Sequence, residues 1–120
     1  MVTMSILTRR ITWLTKIGTG FMFFHNGGNN YDGQTVINAG GLTVTADHAL
    51  GSTNGGTTVN SGGTLGILNV NYTTTEALQL NGTGGVFAGA LESQGTDVFA
   101  GAVTLGSNAS IVLLRAGSLT

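Results

Sequence analysis

An internal repeat constrains this sequence more than any other feature. The segment 33–44 reads GQTVINAGGLTV, and its Gly, Thr and Val positions recur at 56–67 in GTTVNSGGTLGI. The offset from Val36 to Val59 is 23. A second pair, Leu78–Gly82 and Val103–Ser107, has an offset of 25. A period of this length is typical of a solenoid in which each turn of a β-coil stacks on the previous one.

The segments between turns are strand-like. Leu42 and Val44 alternate with Thr43 and Thr45, which places the apolar pair on one face and the threonines on the other. Thr and Val are β-branched and favour a pleated backbone. Asn-Gly and Gly-Gly pairs, which tolerate positive φ, mark turns at 26–27, 40–41, 54–56, 62–63, 81–82 and 84–85.

The same Asn-Gly pairs also mark β-hairpins, so an antiparallel sandwich is the alternative. Recurrence of like segments at this nearly constant spacing favours the parallel coil. We therefore predict an all-β fold: a right-handed, single-stranded parallel β-helix (β-solenoid) fragment of about 4–5 rungs spanning residues 13–120, after an N-terminal segment 1–12. Both ends are expected to be open strand edges. The predicted interior residues are Leu42, Val44, Val59, Leu65, Ile67, Leu78, Leu80, Val103, Leu105, Ile111 and Leu113.

Composition narrows the class of partner. Only 8% of the residues are charged and the net charge is -1, whereas 41% are hydrophobic. The chain can therefore bury a core but lacks the basic patch that a nucleic acid requires. Arg9, Arg10 and Lys16 form the one basic cluster, which we interpret as a solvated edge. The absence of cysteine excludes disulfides and thiolate metal sites.

Several segments resemble one known family. Leu14–Gly20 (LTKIGTG), Gly28–Gly33 (GNNYDG), Thr35–Leu42 (TVINAGGL) and the Ala49–Gly51 turn follow, in order, the autotransporter-associated β-strand repeat of bacterial type V secretion passengers. The match is strong over about residues 13–67 and looser beyond. Phe21–Phe24 (FMFF) departs from the Thr- and Leu-rich strand that is usual at that point.

The resemblance implies a structural or adhesive stalk segment at the cell surface, secreted or attached to the outer membrane, and not an enzyme. The partners that it implies are neighbouring rungs of a longer passenger, or like chains packed end to end, together with host or cell-surface ligands. It implies no nucleic-acid partner, no membrane span in this fragment and no cofactor. Residues 21–24 then form a rung strand instead of a signal-peptide core. Met1 would start a fragment of a longer protein.

Two alternatives remain: a carbohydrate-active β-helix enzyme and a self-assembling extracellular fibre. An enzyme of that class needs carboxylates grouped on one face. The five acids occur singly, and we interpret them as polar turn residues: Asp32, Asp47, Glu76, Glu92 and Asp97.

The other chemical patterns are weak, and we predict no catalytic, cofactor-binding or metal-binding residue. Asp47-His48 with Ser52 suggests a triad, but adjacent strand residues point to opposite faces. His25 and His48 lie one period apart, yet two ligands make a poor metal site. Residues 27–32 match a calcium nonapeptide poorly. The aromatic residues available for sugar or protein contact are Trp13, Tyr31 and Tyr72, for which packing at a turn is the simpler expectation.

Overall fold

The structure is a computed structural model that describes residues 2–7, 10–27, 33–85 and 87–120, with side chains described outside 2–12 and 115–118. Within these ranges the chain is all-β and contains no helix. The strands are β1 (Val2–Leu7), β2 (Arg10–Lys16), β3 (Phe21–Phe24), β4 (Thr35–Ile37), β5 (Gly40–Val44), β6 (Thr57–Val59), β7 (Gly63–Leu68), β8 (Asn71–Tyr72), β9 (Leu78–Gly82), β10 (Leu91–Phe99), β11 (Val103–Ala109) and β12 (Ile111–Leu119).

The strands form two main sheets. The first sheet has the order β1-β2-β4-β6-β9-β11 and the second has the order β12-β10-β7-β5-β3. Each turn of the chain contributes one strand to each sheet, and all pairs between successive turns are parallel. The short strand β8 pairs with the second half of β10. This architecture is a β-solenoid of about four turns, as the repeat predicts, and the parallel pairing contradicts the antiparallel sandwich.

The register confirms the first predicted offset in the second sheet and corrects it in the first sheet. In the second sheet Gly40 pairs with Gly63, which gives the expected offset of 23. In the first sheet Ile37 pairs with Val59, so the offset there is 22 and Val36 is not the partner of Val59. The turn after Val59 is one residue longer than the turn after Ile37. The shift keeps both aliphatic side chains inside, because a one-residue slip would turn one of them outward.

The core consists of side-chain columns that run along the coil. One column, here called the β2–β11 column, contains Lys16, Ile37, Val59, Leu80 and Leu105, one residue per rung. Its three middle members are completely buried. The predicted interior residues of the second to fourth rungs are also buried, so this part of the prediction is confirmed. Burial of each such aliphatic side chain contributes about 1.5–3 kcal/mol.

A longer connection joins β9 to β10 and folds back over the outside of the second sheet. It contains an antiparallel bridge between Gly84 and Ala88. The Thr64 hydroxyl donates a 2.7 Å hydrogen bond to the Gly89 carbonyl, and the Phe87 ring stacks on Phe21 with centroids 4.2 Å apart. The described residues of this connection, 83–85 and 87–90, therefore contact both the third rung and the first.

Candidate functional site

The last rung leaves the coil open. Its inward-facing apolar residues continue the columns of the previous rung, because Val103 pairs with Leu78, as the second repeat pair predicts, and Ile111 pairs with Leu91. They are nevertheless exposed: Val103 by 44%, Leu105 by 57%, Ile111 by 43% and Leu113 by 46%. The pairing confirms that these four belong to the predicted interior rows, but they are not buried, because no further rung covers them in the part of the chain that the structure describes.

The strands of this rung also have free edges. In the described part of the chain β11 is the last strand of the first sheet and β12 is the last strand of the second. Their outward backbone N–H and C=O groups are thus available to another strand. We call Val103, Leu105, Ile111 and Leu113, with the outer edges of β11 and β12, the open end.

In the first sheet the first rung is covered by an added strand. Strand β1 pairs antiparallel with β2 and occupies the edge that β2 would otherwise present. Leu14 is only 2% exposed and Lys16 only 1%. In the second sheet β3 is the edge strand, but its inward Met22 and Phe24 pack partly buried against the core. In the described part of the chain both ends therefore finish in strand edges, as predicted: β1 and β3 at the first rung, and β11 and β12 at the last.

Lys16 contributes to this covered first rung through its amine. The Nζ atom donates hydrogen bonds to the carbonyls of Ile17 at 2.8 Å, Gly18 at 3.0 Å and Ala39 at 3.4 Å. Gly40, at φ +68°, lies so close that an added Cβ would be 2.8 Å from Nζ. The interpretation of Lys16 as a solvated residue is wrong, because the alternation of β2 turns it inward and the turn supplies the carbonyls that replace water. The side chains of Arg9 and Arg10 lie outside the described residues.

A row of aromatic side chains lines the outside of β3. Phe21 and Phe23 are 49% and 43% exposed, with ring centroids 5.3 Å apart, and Phe23 stacks on His25 at 5.4 Å. Phe87 extends the row from residues 83–90. The alternation of aromatic residues at 21, 23 and 25 is visible in the sequence and predicts a shared face, but the contribution of Phe87 depends on the tertiary fold.

Three of the acids are buried, contrary to their interpretation as solvated turn residues. Asp97 accepts hydrogen bonds from the Ser93 hydroxyl and the Val70 amide, both at 2.7 Å. Glu92 accepts one from the Gln94 amide at 2.5 Å. Both acids lie on β10 and are almost completely buried. These carboxylates satisfy neighbouring donors in the coil and are not grouped around a common point.

Glu76 is the third buried acid and the most unusual one. It is completely buried, and its Oε1 accepts a 2.7 Å hydrogen bond from the Thr57 hydroxyl. Its Oε2 has no hydrogen-bond partner among the described residues. Burial raises the pKa of Glu76 to about 7, and the Thr57 hydrogen bond only partly opposes this effect. Glu76 is therefore largely a neutral acid below that pH.

Asp47 and His48 lie in a turn, so their side chains are not forced to opposite faces as the strand argument assumed. His48 has φ 63°, and its Nε2 lies 3.8 Å from Asp47 Oδ2. The Thr74 hydroxyl lies 2.9 Å from Asp47 Oδ1 and 2.8 Å from His48 Nδ1, and the Thr73 hydroxyl also donates to Asp47. Partial burial favours a higher pKa for Asp47, but the hydrogen bonds from both threonines outweigh it and hold the pKa well below its usual range.

The remaining predicted chemistry is not brought together. His25 Nδ1 contacts the Thr45 hydroxyl at 2.8 Å, so His25 stacks over Thr45 and not over His48. Tyr72 is fully buried, accepts the Leu50 amide at 2.9 Å and stacks on Phe99, which confirms the packing interpretation. Trp13 is 42% exposed. Asp32, Tyr31 and most of the calcium-like segment lie outside the described residues.

A shallow groove of about 290 Å³ runs across the outer face of the first sheet. Gln34, Thr58, Gln79 and Thr104 supply its polar lining, and the Gln34 amide donates to the Thr58 hydroxyl at 2.7 Å. No carboxylate is among the residues that line it. The groove offers amides and hydroxyls but no acid for hydrolysis or elimination.

Within the described ranges, no group of three or more His, Asp or Glu residues is placed to hold a metal ion. The same ranges contain no helix with the length and hydropathy needed to cross a bilayer. No family model, curated protein or solved structure matches this chain. The dominant feature of the described residues is a stack of rungs in register, with exposed apolar column ends at the last rung.

Proposed function

We propose that this chain is a structural stalk segment of a surface-exposed, autotransporter-like passenger. It contributes to adhesion by extending the passenger away from the cell surface and not by catalysis. The single observation that carries the proposal is the continuous β2–β11 column, which reaches the last rung in register and stops at an exposed Leu105. A column that ends in this way accepts another rung of the same kind.

The rung geometry supports a role as a length module. Thr57 pairs with Leu78, so residues 57–77 form one repeat that begins and ends at equivalent positions. Each added rung lengthens a coil by about 4.8 Å. The stability of a stack is the sum of the rungs and of the contacts between nearest neighbours, so lengthening does not require a redesigned core.

The position of the acids supports a non-catalytic role. Glu76, Glu92 and Asp97 are buried and hydrogen-bonded to neighbours in the coil, whereas Asp47 is held by threonines at a turn. The groove on the first sheet is lined by amides and hydroxyls. Such a surface can form hydrogen bonds with a polymer but lacks an acid and base pair to cleave it.

The resemblance of residues 13–67 to the autotransporter-associated repeat supports the location. Sparse charge, 21 glycines and no cysteine suit a chain that crosses a membrane unfolded and then coils outside the cell. Folding that propagates from rung to rung suits the same route.

Duplication of one rung tests the role as a length module. In a variant with a second copy of residues 57–77 inserted after Ala77, we expect the molecule to remain folded and to lengthen by about 4.8 Å in small-angle X-ray scattering. Its midpoint of urea unfolding should be equal to or higher than that of the parent. A scrambled insert of the same length and composition at the same point is the control, and we expect it to lower the midpoint.

Surface display tests the adhesive part of the proposal. The chain fused to an unrelated outer-membrane anchor should make bacteria bind to a surface or to one another, and the rung-duplicated chain should do so at least equally well. If the duplicated chain unfolds, or if the displayed parent leaves binding at the level of the anchor alone, the proposed function is wrong.

A further inference from the structure

We propose that the groove on the outer face of the first sheet binds an extended, neutral polysaccharide, with Trp13 as a stacking surface beside it. The inference goes beyond the stalk proposal, because it assigns a class of ligand to one side of the coil. The groove runs along that side across successive rungs, from Gln34 to Thr104. Rungs added at either end of the coil would therefore not cover it.

The polar wall of the groove follows from the register of the first sheet. Thr58 pairs with Gln79, and Gln79 pairs with Thr104, so these outward side chains form one row with a spacing of about 4.8 Å. Gln34 extends the row, because its amide donates a 2.7 Å hydrogen bond to the Thr58 hydroxyl. Amides and hydroxyls both donate and accept hydrogen bonds, as sugar hydroxyls do. The rise per sugar in an extended β-linked glycan is close to this spacing, so successive sugars can meet successive rungs.

The floor of the groove is kept open by the backbone. A Cβ added at Gly55 would clash with the carbonyl of Gly33, so that position cannot carry a side chain. Gly56 has φ +71°, a conformation that L side chains rarely adopt. Ala77 continues the floor on the next rung with a single methyl group. The groove of about 290 Å³ is therefore a preformed feature of the fold, as binding sites for small molecules usually are.

Trp13 extends the same face by one rung. Leu14 pairs with Thr35 and its amide donates to the Gln34 carbonyl, so Trp13 lies beside Gln34 in this register. Trp13 is 42% exposed, whereas Leu14, on the inward face of the same strand, is 2% exposed. The face of an indole ring is electronegative and attracts the C–H groups on the flat side of a sugar ring. An aromatic ring next to amides thus matches both the apolar side and the hydroxyl edge of a sugar.

The lining of the groove disfavours the other classes of ligand. None of the described residues that line it is charged, so it offers no cation for the phosphates of a nucleic acid or the carboxylates of an acidic polysaccharide. A peptide adds to a sheet through backbone groups at a free edge, but β6 and β9 are each paired on both sides. An apolar ligand would leave the glutamine amides unpaired. A neutral chain of hydroxylated rings satisfies the lining.

Fluorescence of the full chain is the first measurement, because Trp13 is its only tryptophan. The chain is titrated with cellohexaose, chitohexaose and β-linked mannohexaose. We expect a saturable change of the Trp13 emission with at least one of them. The hexamer of β-linked glucuronic acid is cellohexaose with a carboxylate on every ring. It should bind at least about tenfold more weakly than the best neutral glycan, because its charges would be desolvated without a partner.

Calorimetric titration of variants then locates the binding. Gln79→Ala removes one amide from the wall and should raise the dissociation constant about fivefold, through the loss of neutral hydrogen bonds. Asn71→Ala removes an exposed amide on β8, outside the groove, and should raise it less than about twofold. Trp13→Ala should raise it about tenfold, whereas Phe23→Ala, which removes an exposed ring on the second sheet, should leave it unchanged.

Retained circular dichroism of the strands shows that each variant is folded. Ala77→Leu provides a second arm that does not depend on Trp13, because it fills the floor of the groove without removing a polar group. We expect it to raise the dissociation constant at least about tenfold, since the sugar ring would no longer reach the wall.

Four outcomes overturn the inference. The first is the absence of saturable binding with all three neutral glycans. The second is equal binding of the glucuronic acid hexamer, which shows recognition of charge. The third is an unchanged dissociation constant in both Gln79→Ala and Ala77→Leu, which places binding elsewhere on the surface. The fourth is equally tight binding of an unstructured peptide, which shows pairing at a strand edge. None of these outcomes bears on rung duplication or surface display, which test the stalk proposal separately.

Discussion

The two ends of one column behave differently although they are built from the same fold. Lys16 begins the β2–β11 column and is 1% exposed, whereas Leu105 ends it and is 57% exposed. A charged residue is therefore buried at one end, and a leucine faces solvent at the other. Residue type does not explain this reversal, because hydrophobicity alone would bury the leucine and expose the lysine.

The difference shows that burial in this molecule depends on what the next layer supplies. At the first rung β1 covers the edge of β2, and three carbonyls satisfy the lysine amine. At the last rung neither a hairpin nor a turn crosses the end in the described part of the chain. A coil of similar rungs is thus made directional by its terminal structures.

Shortening a side chain in the middle of the β2–β11 column and another at its end should give the largest difference in stability. Leu80→Ala is expected to lower the free energy of unfolding by about 2–5 kcal/mol, because it opens a cavity between two rungs. Leu105→Ala should cost less than about 1 kcal/mol at concentrations where the chain is monomeric, because more than half of that side chain is already exposed. Urea unfolding of both variants measures the two losses in the free energy of unfolding. Equal costs would contradict an open last rung.

The buried acid between the ends should make stability depend on pH. Burial raises the pKa of Glu76 in the folded chain from 4.5 to about 7, so folding favours the protonated carboxyl. The contribution of this group to the free energy of unfolding is therefore fully present below pH 4.5. That stabilisation is lost as the pH rises from 4.5 to 7, on the order of 3 kcal/mol. Glu76→Gln, which keeps an acceptor for Thr57, should remove this dependence. A wild-type chain equally stable on both sides of this pH range would show that Glu76 is solvated.

The contact of residues 83–90 with the first rung should contribute a smaller amount. Phe87→Ala removes the ring that stacks on Phe21 at 4.2 Å, and we expect a loss of about 1 kcal/mol with faster amide exchange in β3. The matched change Phe23→Ala, on the other outward phenylalanine of β3, should leave the exchange of residues 83–90 unchanged. Unchanged exchange in β3 of the Phe87→Ala variant would mean that Phe87 does not hold the connection on the first rung.

The turn cluster should give the smallest effect, visible only in acid. Hydrogen bonds hold the pKa of Asp47 below its ordinary value of 3.8, so its stabilisation is present above pH 3.8 and lost as the pH falls further. Asp47→Asn should therefore lower stability slightly at neutral pH and flatten the acid limb of the profile. Thermal unfolding at a series of acidic pH values measures this loss of stability in both chains. An unchanged acid limb would show that Asp47 does not stabilise the turn through its charge.

The repeat predicts the fold because each rung has to present aliphatic residues to its neighbours, and this requirement is local. Leu42, Val44 and Leu65 follow from alternation alone. The exposure of Leu105 does not, because it depends on the absence of a covering layer in the described chain and not on any property of residues 103–107. The covering of β2 by β1 and the burial of Lys16 depend on the antiparallel pairing of these two strands, which is not part of the sequence repeat.

The departures from the regular repeat also mark what sequence reasoning missed. Residues 83–90 lengthen one rung and cover the outside of the second sheet, which places Phe87 on Phe21. Glu76 contacts Thr57 at a corner of the coil, where Gly101 lies so close to the Glu76 backbone that a Cβ there would clash with it. Both features follow from three-dimensional neighbours and leave only weak signals in the order of residue types.

Methyl–methyl nuclear Overhauser contacts along the β2–β11 column test the central claim most directly. An in-register coil that is open at its last rung predicts contacts from Ile37 to Val59, from Val59 to Leu80 and from Leu80 to Leu105. In the monomer, Leu105 should have no methyl contact on its other side. Contacts that pair Val36 with Val59, or that connect these residues in antiparallel order, would contradict the claim.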